Sequence, residues 1–103
     1  MAKFEHGDMT VGDVNVPVTL SADEVLTGKN VDFEFIKPSG KSIRRDATVT
    51  GTYTARYLTV SGDIDESGEW RVFAKDAGSG YYYTKESGNI FRVRPKPMTM
   101  ANS

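Results

Sequence analysis

Apolar and polar residues alternate along most of this chain. Val14, Val16, Val18 and Leu20 share one face of an extended segment; Val31, Phe33 and Phe35 share a face of the next, separated by Asp32 and Glu34. A side-chain period of two belongs to a strand with one face on a core and the other in water. The same period runs through Ile43, Ala47 and Val49, and through Trp70, Val72 and Ala74, which alternate with Arg71 and Phe73 and are flanked by Glu69 and Lys75. Residues 52–60, 81–84 and 90–93 are dense in β-branched and aromatic side chains, the preferred strand residues. Gly51 either divides the region from 43 to 60 into two strands or bends one long strand. Helical spacing is confined to residues 21–26, a single turn that Ser21 could cap and Gly28 ends.

Turn chemistry separates these segments. Lys37-Pro38-Ser39-Gly40-Lys41 predicts a hairpin in which Pro presets φ and Gly accepts a positive φ, and Ala77-Gly78-Ser79-Gly80 predicts another. Pro17 lacks the N–H a ladder needs, which predicts an edge or a bulge and argues against a central position. About seven strands result, with a turn roughly every eight to twelve residues, the spacing of an all-β two-sheet sandwich of antiparallel strands. Residues 1–12 and 95–103 are polar and marked by Gly and Pro, so the sandwich is assigned to residues 13–94 with an arm at each end.

A chain of 103 residues fits one domain. It has no cysteine, which excludes disulfides, thiolate zinc sites and thiol nucleophiles. A formal net charge of -1 provides no global field for nucleic acid or an anionic membrane, and neither partner is expected. The local basic groups are Arg44 with Arg45, and Lys85, Arg92, Arg94 and Lys96; charges two apart on a strand ordinarily solvate its outer face. The N-terminal residues contain no apolar run of signal-peptide length and no stretch approaches a membrane span, so synthesis in the cytoplasm is expected.

Candidate chemistry is sparse. His6 is the one histidine, which leaves a Ser-His-Asp triad dependent on a residue in the N-terminal arm. Asp63, Asp65 and Glu66 form an Asp-x-Asp-Glu loop that could offer carboxylates to Ca²⁺, but the full calcium-loop spacing is missing and Asp in such a turn also bonds its own backbone. A glycosidase reading of the same carboxylates needs a sugar-sized cleft between them. No helix follows a glycine-rich loop, so no phosphate cradle is expected, and no cofactor or metal is assigned. The aromatics are the remaining resource. In the run Tyr81-Tyr82-Tyr83 the middle ring must point opposite to its neighbours, and Phe73 is out of phase with Trp70, Val72 and Ala74. Phe73 and Tyr82 are therefore expected to form an outward aromatic patch suited to a protein partner, with Arg92 and Arg94 as further candidate contacts.

Three segments carry a family resemblance: Leu26-Thr27-Gly28, a strand and turn reading Val31-Asp32-Phe33-Glu34-Phe35-Ile36-Lys37-Pro38-Ser39-Gly40-Lys41, and Gly62-Asp63-Ile64-Asp65-Glu66-Ser67-Gly68-Glu69-Trp70-Arg71-Val72. Over residues 13–94 the pattern resembles a small immunoglobulin-like domain of tailed bacteriophages, found at the N-terminus of upper baseplate proteins and in short stand-alone head or tail accessory proteins. The stretch from Asp65 to Val72 is also similar to the immunoglobulin Asp-x-Gly-x-Tyr-x-Cys corner. Trp70 stands at the tyrosine position and Val72 at the cysteine position, with Asp65 one residue farther from the glycine than that pattern requires. The resemblance implies a non-enzymatic virion protein that decorates the head or connects tail, baseplate or fibre components. Its partners would be capsid, tail or baseplate proteins, it would be located in the virion, and it would form a homo-oligomer in the assembled particle. Two other classes remain open: a carbohydrate-binding module that stacks sugars on outward aromatics with calcium at Asp63 or Asp65, and a small hydrolase using Asp65 or Glu66.

Overall fold

The computed structural model of the chain describes residues 3–83 and 89–95. Among them are eight strands and no helix: β1 (Lys3–His6), β2 (Met9–Thr10), β3 (Pro17–Ser21), β4 (Val31–Ile36), β5 (Ser42–Val49), β6 (Thr54–Leu58), β7 (Gly68–Asp76) and β8 (Asn89–Arg94). They form one mixed sheet in the order β1-β3-β6-β5-β4-β7-β8-β2, antiparallel throughout except for the parallel pair β2 with β8. The all-β expectation holds. The strands number eight, and they are continuous through β5 instead of separating into two sheets.

The curl of this sheet has two physical causes. In β5, Ser42 to Ala47 pair with β4, while Thr48 and Val49 pair with β6, so one strand serves both halves. On the opposite side Gly7 and Asp8 carry the chain directly from β1 at one end of the sheet to β2 at the other. The halves are thereby folded face to face. Phe4 of β1 meets Phe33 of β4 edge-on with ring centroids 5.2 Å apart, and Tyr57 of β6 meets Phe35 of β4 at 6.0 Å. Trp70 and Phe91 stack obliquely at 5.9 Å beneath them. Such aromatic pairs contribute roughly 0.5–1.5 kcal/mol each beyond the area they bury.

The period-two reading is accurate within strands. Val18, Leu20, Val31, Phe33, Phe35, Trp70, Val72 and Ala74 are all buried in one core, and Ile43, Ala47 and Val49 pack against its rim. The predicted turns form as well: Lys37 N–H donates to the Lys41 carbonyl at 2.8 Å with Gly40 at φ 92°, and Asp76 N–H donates to the Tyr81 carbonyl at 2.7 Å. Gly51 lies in a hairpin closed by Thr50 N–H to the Thr54 carbonyl at 2.9 Å, which decides the region from 43 to 60 in favour of two strands.

Four expectations need correction. Residues 3–10, part of the segment read as an N-terminal arm, are two strands whose Phe4 and Met9 lie in the core; isolated apolar residues among polar ones gave no periodic signal there. Val14 is 48% exposed and outside β3, because Asn15 takes a left-handed φ of 60° and breaks the alternation. β3, which begins at Pro17, lies inside the sheet between β1 and β6. Its proline is nevertheless tolerated, since pairing with β1 stops at Val18 opposite His6. Tyr81 to Tyr83 form only one bridge, Tyr82 to Lys75, instead of a strand. Thr84 and Lys85 lie outside the described residues, as do Lys96 and the C-terminal arm apart from Pro95.

Candidate functional site

The outer face of β4, β7 and β8 carries the residues singled out for partner binding. β7 turns Glu69, Arg71, Phe73 and Lys75 away from the core because Trp70, Val72 and Ala74 turn into it. The Asp76 to Tyr81 hairpin then returns the chain over this face, where Tyr82 bridges Lys75. Phe73 and Tyr82 meet edge-on at 5.9 Å, the Lys75 ammonium sits 5.5 Å from the Tyr82 ring centroid, and Tyr82 Oη reaches Glu34 Oε1 at 3.4 Å. Tyr82 remains 42% exposed, and Ile90 of β8 is exposed on the same face. The result is an aromatic pair framed by Glu34 and Lys75; the aromatics, not the two charges, are the residue types enriched at protein interfaces.

Arg92 and Arg94 share this outward face but not this patch. Arg92 lies opposite Glu69, four residues along β7 from Phe73, which is roughly 13 Å at the rise of a strand. Arg94 is farther still and pairs with Asp8 at 3.4 Å. The structure thus brings Phe73 and Tyr82 together and leaves the two arginines at the other end of the sheet.

A second feature was not legible in the sequence. Glu24, Lys29, Asn30, Asp76, Ser79, Tyr81 and Tyr83 line an open cleft of about 500 Å³ between the loop after β3 and the β7 hairpin. Tyr83 is buried, Tyr81 packs against it at 5.5 Å, the Tyr81 hydroxyl reaches Glu24 at 3.0 Å and the Tyr83 hydroxyl reaches Asp76 at 3.2 Å. The Ser79 hydroxyl and N–H both bond Asp76 and hold its carboxyl below the ordinary value, while burial followed by the Asp76 charge pushes the Tyr83 phenol up to about 12. Convergence of residues 24 and 81 depends on two loops that carry no periodic signal.

The acidic loop resolves into structural roles. Asp63 is buried and accepts bonds from Arg45 Nε at 3.0 Å, Val60 N–H at 2.9 Å and the Tyr57 hydroxyl. Burial alone would raise its carboxyl, but the bonds from Tyr57, Val60 and Arg45 outweigh this and hold it below 3.8. Burial and then the Asp63 bond push the Tyr57 phenol up to about 12. Asp65 pairs instead with Lys37 at 2.9 Å, and Glu66 accepts from Ser39 N–H and Oγ at 3.1 and 2.8 Å. These carboxylates brace three different partners. Among the described residues no group of three metal-ligating side chains converges, so the calcium reading finds no ligand cluster at Asp63, Asp65 and Glu66, and Asp65 and Glu66 are each engaged by a different residue of the turn after β4. Arg45 is likewise committed to Asp63, which removes it from the basic pair with Arg44.

The pH dependence of this network follows from its signs. A depressed Asp63 stabilises the fold above about pH 4 and loses that contribution as pH falls through its folded value. A raised Tyr57 stabilises it up to pH 10, and this is lost between pH 10 and about 12. Asp63→Ala is expected to cost about 3 kcal/mol in urea unfolding at pH 7, the low end for a broken buried pair because Arg45 can rehydrate. Between pH 4 and 3 the variant should also lose less stability than the parent; equal acid limbs would contradict this assignment.

His6 touches Phe91 with ring centroids 5.1 Å apart, and its ring Nδ1 lies 3.1 Å from the Gly7 carbonyl; among the described residues it contacts no carboxylate or hydroxyl that would make a triad. Trp70 holds the corner that the sequence placed at the start of β7: its indole N–H donates to the Glu66 carbonyl at 3.0 Å, and Lys37 sits 5.9 Å from the ring centroid. Gly68, at φ 122°, lets the strand begin against Pro38, whose Cγ would lie 3.0 Å from an added Cβ. No family model and no curated protein matches this chain.

Proposed function

We propose that this domain is a non-enzymatic structural component of a bacteriophage virion, joining capsid, tail or baseplate proteins by protein contacts, and that its curled sheet is an immunoglobulin-like sandwich opened at β5. The observation that carries the reading is the outward Phe73–Tyr82 pair, in which an exposed Tyr82 ring rests on a half-buried Phe73: large aromatics held in place on a sheet face are the usual energetic centres of protein interfaces. The turn and corner motifs supply the phage assignment. The Trp70 bond to a carbonyl four residues upstream supports the immunoglobulin-like reading, because it reproduces with an indole what the tyrosine corner does with a phenol. So does the split N-terminal strand, β1 on β3 and β2 on β8.

Quantitative mass spectrometry of purified particles tests this. The chain should be present in a fixed copy number, and Tyr82→Ala should reduce that number at least tenfold, as expected for an interface contact near 2 kcal/mol, while urea unfolding loses only about 1 kcal/mol through the ring contact with Phe73. Particles without the chain would overturn the virion reading, and unchanged incorporation of the variant would overturn the surface. The cleft at Tyr81 favours one second reading, recognition of a glycan by an aromatic ring flanked by Glu24, Lys29 and Asn30. Glycan-array binding that disappears in Tyr81→Ala and persists in Tyr82→Ala would select it.

A further inference from the structure

Among the described residues, the six from Ser42 to Ala47 of β5 are paired with β4 on one side and with no strand on the other, because β6 joins β5 only from Thr48 onward. A sheet edge of this length is a template for another strand. Beside it, where β5 and β6 diverge, lies a cleft of about 320 Å³ lined by Asp46, Thr48, Arg56 and Tyr57. The outward side chains along the edge are Ser42, Arg44, Asp46 and Thr48; the inward ones are Ile43, Arg45 and Ala47.

We propose that β5 is a self-pairing edge, and that two copies of this chain join antiparallel across a two-fold axis at Arg45 to extend the sheet. Charge complementarity selects both the occupant and the register. Pairing centred on Arg45 sets Arg44 of each copy opposite Asp46 of the other on the outer face, giving two symmetric ion pairs, and sets Ile43 opposite Ala47 on the inner face. Centring on Arg44 or on Asp46 sets like charges opposite each other on the outer face, and a half-step register would set an outward side chain opposite an inward one, which a two-fold axis normal to the sheet does not allow. The two Arg45 side chains that meet at the axis are each already neutralised by their own Asp63 at 3.0 Å. Arg45 Nη1 also bonds the Arg44 carbonyl at 3.2 Å and would yield that contact to the incoming strand. The pairing is isologous, so it closes at two copies and leaves the Phe73–Tyr82 face free for other proteins. It rests on the assembly reading above, for which it supplies the self-contact.

Sedimentation velocity of the intact protein over a range of concentrations tests this. The parent should dimerise at on the order of 100 µM, as befits a strand-edge interface below about 1,200 Å², and more weakly as salt is raised. Asp46→Arg sets Arg against Arg in both symmetric pairs and should weaken dimerisation about tenfold. The same change takes away the carboxylate that faces Asp32 across β4, so the melting temperature should not fall, which separates lost pairing from lost folding. The charge exchange Arg44→Asp with Asp46→Arg restores opposite charges in this register and should recover the dimer. A monomer throughout the range, or an Asp46→Arg variant that dimerises like the parent, would overturn the proposal. A solution dimer whose chain is missing from particles would instead sink only the virion reading.

Discussion

Deleting residues 1–10 is expected to remove about 5 kcal/mol or more of stability, enough to leave most of the chain unfolded at 37 °C. The segment supplies Phe4, 5% exposed against Phe33, and Met9, 1% exposed beside Val93. Loss of one such side chain typically costs 2–5 kcal/mol, and a domain of this size holds only about 5–15 kcal/mol in total. The deletion also uncovers both ends of the sheet at once, since β1 covers the edge of β3 and β2 that of β8. Urea unfolding followed by tryptophan fluorescence reads the effect directly through Trp70. An unchanged midpoint would mean that these residues are an arm after all.

Replacing Trp70 is expected to divide into two measurable parts. Trp70→Ala should cost about 4–5 kcal/mol, because the side chain is fully buried at the centre of the core against Phe91. Trp70→Phe keeps most of that volume but strands the Glu66 carbonyl, which should cost about 1–2 kcal/mol. The loop from Asp63 to Gly68 should loosen in both variants, with faster amide exchange at residues 63–66. A Trp70→Phe variant as stable as the parent, with unchanged exchange in that loop, would show that the indole bond does not hold the corner.

The core was legible because strands write their burial into the sequence at every second residue. Val31, Phe33 and Phe35, and Trp70, Val72 and Ala74, needed nothing but that period. The N-terminal strands were not legible for the same reason: β1 buries a single residue in four and β2 one in two, too few to register as alternation. Pro17 misled because a proline rule based on strand position misses where the neighbouring ladder stops. Sharing of β5 between the two halves is set by register, and no residue within Ser42 to Val49 marks the change of partner between Ala47 and Thr48.

The candidate site divided along similar lines. Opposite phase on β7 was sufficient to turn Phe73 outward, and Tyr82 joins it through a bridge that the hairpin makes inevitable. Arg92 and Arg94 share the face but lie too far along β8 to share the patch, a separation that strand phase alone does not reveal. Asp63 looked like loop chemistry from its neighbours in sequence. Its partner Arg45 lies 18 positions earlier, and only the fold brings that guanidinium to it.

Cryo-electron microscopy of purified particles tests the central claim most directly, that the acidic side chains at 63 to 66 brace the fold and the outer β4–β7 face binds other proteins. The account predicts density for the domain with Phe73 and Tyr82 covered by a neighbouring subunit and Asp63 still enclosed by Arg45 and Tyr57. Particles in which that face is bare, or in which Asp63 has left its enclosure to hold a ligand, would contradict it.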